Sequence, residues 1–258
     1  MLLAFDDVGP GPVVVLLHGF PLDRTMWSHQ RSSVGATYRV ILPDLRGHGT
    51  SAAPDEGYEV DTMADDVLEL LDALQIDGPV VLGGLSMGGY VTLSIAARYP
   101  ERLSALMLLD TRASADSAEV AQSRRQRAAQ IEATGNTNAV VDAMLPNLFA
   151  RQTFERQPGV VAATRARMAM TPARAVAGTL RGLASRPDRT AELGRIVVPT
   201  LVLTGAEDAI VPIEETRAMA EAIPKARLVV IPDAGHLAPL ENHQAVDSAI
   251  LGFLESLW

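Results

Sequence analysis

The chain has 258 residues, a formal net charge of −9 and no cysteine. That length suits one sizeable α/β domain, and 48 % hydrophobic against 21 % charged residues excludes a disordered chain. The lack of cysteine excludes disulfides, thiolate metal sites and a thiol nucleophile, and the acidic balance argues against a nucleic-acid surface, which needs clustered positive charge. At the N-terminus, residues 1–7 have no basic region and too short an apolar run for a signal peptide. No later apolar run approaches the ~18 residues of a membrane span. A soluble, cytoplasmic protein is therefore expected, with neither membrane nor nucleic acid as partner.

Unbroken apolar runs follow at Val13–Leu17, 39–42, 80–82 and Leu103–Leu109, closed in turn by His18-Gly19, Pro43, Gly83-Gly84 and Asp110. Runs without alternation suit strands buried on both faces of a parallel sheet. Between them, Asp61-Thr62 can cap a helix carrying Met63, Val67, Leu70, Leu71 and Leu74 on one face. A second helix is predicted over 87–99, stopped by Pro100. Strand and helix in alternation predict right-handed crossovers and a mostly parallel, doubly wound α/β sheet.

The pattern changes near Arg112. Up to Arg195 no strand is predicted, only helices separated by Gly135-Asn136, Pro146, Pro158-Gly159, Pro172 and Arg186-Pro187-Asp188. Strands return at 197–203 and 228–231, with helices at 214–223 and 244–257. The reading is one α/β core, residues 1–111 and 196–258, interrupted by a helical cap over 112–195. The cap holds 13 arginines against 7 acidic residues, while the rest of the chain carries 9 basic and 24 acidic residues. Such a division suits docking of a basic cap on an acidic core, or entry of anionic substrates beneath it.

Gly84-Leu85-Ser86-Met87-Gly88 fits G-x-S-x-G and lies between a predicted strand and a predicted helix, the setting this motif requires. A nucleophile on a tight strand-to-helix turn needs small neighbours two residues before and after it, which Gly84 and Gly88 provide. The turn also aims backbone N–H groups and a positive helix end at the serine hydroxyl.

With its loops, the sequence resembles the α/β-hydrolase fold family over nearly its whole length. The motifs that carry the resemblance are the elbow around Ser86, His18-Gly19-Phe20-Pro21, the loop from Asp44 through Arg46-Gly47-His48-Gly49 to Ser51, Gly205-Ala206-Glu207-Asp208 and Asp233-Ala234-Gly235-His236. The resemblance implies Ser86 as nucleophile, His236 as general base, Asp208 as the acid that orients it, and the N–H groups of Phe20 and Met87 as oxyanion donors. Asp110 is an alternative acid, since some members take theirs from that strand end. Glu207 fits the motif less well, and Asp233 reads as a turn residue. His18 and His48 read as structural, His29 and His243 as surface residues. No metal and no cofactor is implied.

A serine at the elbow disfavours haloalkane dehalogenases and epoxide hydrolases, which use aspartate there. Gly-Leu-Ser-Met-Gly-Gly looks like the elbow of 3-oxoadipate enol-lactonases, related carboxylesterases and cofactor-free haloperoxidases. The expected activity is hydrolysis of small carboxylic esters or lactones through an acyl-enzyme. Enol-lactone or other lactone hydrolysis and perhydrolysis are the alternatives, and a small-molecule receptor of the same fold is the non-enzymatic one. Leu22, Trp27, Met144 and Leu237 are expected to line the substrate pocket, or else to be plain core. The arginine excess is the one hint of a carboxylate-bearing substrate.

Overall fold

The apolar runs form the interior of a seven-stranded sheet in the computed structural model, which describes residues 1–257. The strands are β1 (Phe5–Val8), β2 (Val13–Leu17), β3 (Arg39–Pro43), β4 (Val80–Leu85), β5 (Leu103–Leu109), β6 (Thr200–Gly205) and β7 (Ala226–Ile231). Their order is β1-β3-β2-β4-β5-β6-β7, and every pair is parallel except β1 with β3. From β2 the chain steps outward to β3, then returns to place β4 on the other side. The strand order thus reverses between β2 and β4, and crevices at such reversals are where open α/β sheets bind ligands.

Alternate strand residues point to opposite faces. Val15, Leu17, Ile41, Leu82, Leu106 and Leu108 meet helices α2 (Val60–Ala73) and α3 (Met87–Arg98) on one face. Val14, Leu16, Val81, Met107, Leu201 and Leu203 form the other face. There they join a core that includes Trp27, Val246, Ile250 and Phe253, beside α1 (Ser28–Ser33) and α11 (His243–Glu255). Helix α9 (Ile213–Ala222) links β6 to β7, and the short α10 (Ala238–Glu241) precedes α11.

Between β5 and β6 the chain makes α4 (Ala118–Thr134), α5 (Asn138–Leu148), α6 (Arg151–Arg156), α7 (Pro158–Met170) and α8 (Ala173–Ala184), with no strand among these described residues. Helix α4 packs on α8. Helix α8 in turn lies so close to Tyr58 that a Cβ on Gly182 would sit 1.9 Å from the Tyr58 carbonyl oxygen.

Several boundaries differ from the sequence reading. Strand β4 runs on through Gly83 and Gly84, because ladders with β2 and β5 on both sides engage those residues. Helix α2 starts one residue before Asp61, whose carboxylate instead accepts from Ser94 Oγ at 2.6 Å and pairs with Arg189 at 2.6 Å. Pro146 lies inside α5, and Pro158 opens α7 at a position where its missing N–H costs nothing. Strand β6 begins at Thr200, after Pro199, leaving Val197 65 % exposed. The unforeseen β1 is an edge strand whose acids are held by arginines: Asp6 by Arg24 and Arg31, Asp7 by Arg39.

The β6 boundary has a direct test. Leu201→Ala, within the strand, is expected to cost about 2–5 kcal/mol. Val197→Ala is expected to stay within about 0.5 kcal/mol of the parent. Urea unfolding of both variants measures the contrast.

Candidate active site

Ser86 occupies the turn between β4 and α3 with φ 52° and ψ −111°, a conformation that non-glycine residues rarely adopt. The surroundings hold it there. The Ser86 N–H donates to the Leu109 carbonyl at 2.9 Å, and the Ser86 carbonyl accepts from Thr111 Oγ1 at 2.8 Å. Glycine is obligatory around it for want of space. A Cβ on Gly84 would come within 2.2 Å of the Gly88 backbone, and one on Gly88 within 2.3 Å of the Leu17 carbonyl oxygen. Met87 is the first residue of α3, so its N–H belongs to the group that no helical carbonyl can satisfy.

His236 follows β7, and Asp208 follows β6. His236 Nδ1 lies 2.8 Å from Asp208 Oδ2, and both side chains are buried. A carboxylate only accepts, so Nδ1 carries the proton and Nε2 keeps its lone pair. Asp208 Oδ1 accepts from the N–H groups of Ile210 and Val211 at 2.8 and 3.0 Å, which aims Oδ2 at the imidazole. Ser86 and His236 open onto one cleft of about 290 Å³, whose walls include Phe20, Met87, Tyr90, Met144 and Leu148.

Asp110 closes β5 and is fully buried. Its Oδ1 accepts from the Gly205 N–H at 2.7 Å, and its Oδ2 has no partner. Burial first, then the Asp208 charge, holds its carboxyl well above the usual carboxylate range. Glu207 and Asp233 both accept from Gln152 Nε2, Asp233 doing so from a turn with φ 57°.

His18 fixes the Phe20 loop. Its Nδ1–H donates to the Gly19 carbonyl at 3.0 Å, and its Nε2 accepts from the Leu45 N–H at 2.9 Å. Burial pushes its pKa down to about 4. His48 packs beside it and bonds the Arg46 carbonyl; burial, then His18, lowers its pKa to about 3. His29 and His243 stack on one another, with ring centroids 3.8 Å apart.

The expected pocket residues are scattered. Met144 lies on the cleft wall with Ser86. Trp27 is wholly buried in the core beneath the sheet, and Leu237 is buried there too. Leu22 belongs to a separate depression beside Met26 and His29. Leu22, Trp27 and Leu237 turn inward to the core, whereas the cleft is walled mainly by the helices between β5 and β6. Among the cleft residues that escaped the sequence reading are Val120, Arg124 and Arg127 on α4, and Leu183 on α8. The first three recur at spacings of four and three, one helix face, and that period was the available signal. Arg124 is tied to Asp116 at 2.6 Å, whereas Arg127 has no ion-pair partner among the described residues.

Comparison with known proteins bears on this arrangement. A family model described as "alpha/beta hydrolase fold" matches residues 12–243. A thermophilic esterase from Thermogutta terrifontis, solved with malate bound, superposes with a TM-score of 0.97 at 45 % identity, covering 99 % of this chain and 93 % of that one. The enol-lactonase of Burkholderia xenovorans superposes with a TM-score of 0.89 at 33 % identity over 98 % of this chain and 96 % of that one. AB hydrolase superfamily protein YisY of Bacillus subtilis is 32 % identical over 260 residues, 98 % of this chain and 96 % of its own. Among the described residues no helix is long and apolar enough to cross a membrane.

The neutral His18 makes stability pH-dependent. Its folded pKa of about 4 lies below the ordinary 6.5, so between these values the unfolded chain binds a proton that the native state refuses. Stability is therefore expected to fall as pH drops through this window, by roughly 3 kcal/mol from this group. Urea unfolding at about pH 7 and about pH 4.5 should show a smaller loss for His18→Gln than for the wild type.

Proposed function

Because the chain belongs to the α/β-hydrolase fold family, and His236 is bonded to Asp208 at a cleft that Ser86 also lines, we propose that it is a serine hydrolase of small carboxylic esters. The observation that carries the proposal is the 2.8 Å contact between His236 Nδ1 and Asp208 Oδ2 at a cleft shared with Ser86. The relatives named above include an esterase and an enol-lactonase, which supports the same chemistry here.

In this mechanism Ser86 Oγ attacks the ester carbonyl carbon while His236 Nε2 takes the hydroxyl proton. The oxyanion is held by the N–H groups of Phe20 and Met87. The C–O bond to the alcohol then breaks, and His236 Nε2–H protonates the leaving oxygen. Water, deprotonated by the same nitrogen, attacks the acyl-enzyme, and the acid departs as Ser86 regains its proton. Asp208 keeps the proton on Nδ1 and stabilises the imidazolium of each transfer. Residues 112–195 act as a cap, and Met144 lends it an apolar contact for the acyl or alcohol chain.

Arg127 favours a second reading. It faces the cleft without an ion-pair partner among the described residues, which suits a substrate bearing a carboxylate, as an enol-lactone or a half-ester would.

Steady-state turnover of a p-nitrophenyl ester tests the first reading. Ser86→Ala is expected to lower kcat by up to about 10⁶, and retained hydrolysis by the purified variant contradicts it. For the second reading, methyl hemisuccinate and methyl butyrate form a matched pair. Arg127→Gln should raise KM about tenfold for the anionic ester alone, the worth of one charge-assisted hydrogen bond. An equal change for both esters removes the carboxylate reading and leaves the hydrolase reading standing.

A further inference from the structure

The loop that presents His236 is held from both sides by the inserted helices, and one buried side chain makes the connection. Glu241 ends α10, five residues after His236, and is 6 % exposed. Its Oε1 accepts from the Gly235 N–H at 2.8 Å, on the residue just before His236. Its Oε2 accepts from the Ala150 N–H at 2.7 Å and from Thr153 Oγ1 at 2.6 Å, both at the start of α6. On the other side of the histidine, the Leu237 N–H donates to the Leu148 carbonyl at 3.1 Å. The two backbones touch, since a Cβ on Gly235 would sit 2.6 Å from the Ala150 nitrogen.

We infer that Glu241 is a positioning residue for the proposed hydrolysis, clamping the His236 loop to the segment between α5 and α6 so that the imidazole stays aimed at Ser86. A buried carboxylate is costly unless its lone pairs are used, and here three donors from two separate parts of the chain use them. Two of the three, one on each side, are backbone N–H groups, which always donate, so only an acceptor of two-oxygen geometry serves both sides at once. Removing one partner frees the loop on one side without touching Ser86, Asp208 or His236. Catalytic groups misplaced by about 1 Å commonly lose up to 10²-fold in rate.

This inference rests on the serine-hydrolase reading, and Glu241→Gln tests it. The amide offers one oxygen in place of two, so either Gly235 or Ala150 loses its acceptor whichever way the amide turns. With a p-nitrophenyl ester, kcat is expected to fall about 10- to 100-fold, with KM within about threefold and an unchanged circular dichroism spectrum. The rate of inactivation by a fluorophosphonate should fall in parallel, since it reads the serine–histidine pair without substrate turnover. Thr153→Val, which removes one donor only, should lower kcat by a few-fold at constant KM; it decides the matter if Glu241→Gln does not fold. A wild-type kcat in the folded Glu241→Gln, or in Thr153→Val as the sole folded variant, overturns the inference. So does a loss carried by KM alone, which would make Glu241 a support of the cap and not of the histidine. Should the wild type fail to hydrolyse the ester, or Ser86→Ala still do so, it is the hydrolase reading that falls.

Discussion

Helix α3 meets the tip of β2 so closely that only hydrogen fits at Gly88, and the local architecture follows from that approach. A sheet edge pressed against a helix start leaves the intervening residue little choice of backbone, and Ser86 takes the strained conformation between them. The strain is sustained because the neighbours over-determine it: β2 and β5 flank the strand, and Thr111 and Leu109 bond the serine backbone. The reward is a hydroxyl at the point where strand order reverses, with the first N–H groups of α3 beside it. His18 extends the same constraint, since its two ring nitrogens tie the Phe20 loop to the loop after β3.

Three buried carboxyls stand near His236, and their surroundings separate their tasks. Asp208 receives two backbone N–H groups on one oxygen and the imidazole on the other. Asp110 has one N–H, an unpartnered oxygen and the Asp208 charge nearby, so its carboxyl is pushed towards the neutral form. Glu241 is also raised by burial, although its hydrogen bonds act in the opposite sense. Two charged carboxylates packed together would repel, and the upward shift at Asp110 lessens that repulsion behind the carboxylate that faces the histidine. The proposed catalytic order of acid, base and nucleophile is thus written in hydrogen-bond donors as much as in side-chain types.

Much of this was legible in the sequence because it is local. Val13–Leu17 and Leu103–Leu109 appear in the structure with the bounds their apolar runs suggest. Gly84 and Gly88 announce a crowded turn around Ser86. What was not legible is relational. Nothing in the residues beside Glu241 says that its carboxylate reaches Ala150, 91 positions away, or that Trp27 turns into the core while Met144 reaches the cleft. The edge strand β1 was hidden because Asp6 and Asp7 obscure its pattern, and only the arginines that meet them make those acids compatible with a strand. Pro146 misled because a proline within a helix is rare but permitted where packing on other helices compensates.

The central claim is that residue 86 is the atom donor of the first covalent step, activated by the histidine bonded to Asp208. Peptide mapping by mass spectrometry, after treatment with a stoichiometric fluorophosphonate, addresses it without reliance on rates. One phosphonyl group per chain, on the peptide containing Ser86, is the outcome the account requires. A catalytically competent sample that takes up no label, or carries it on another residue, would contradict it.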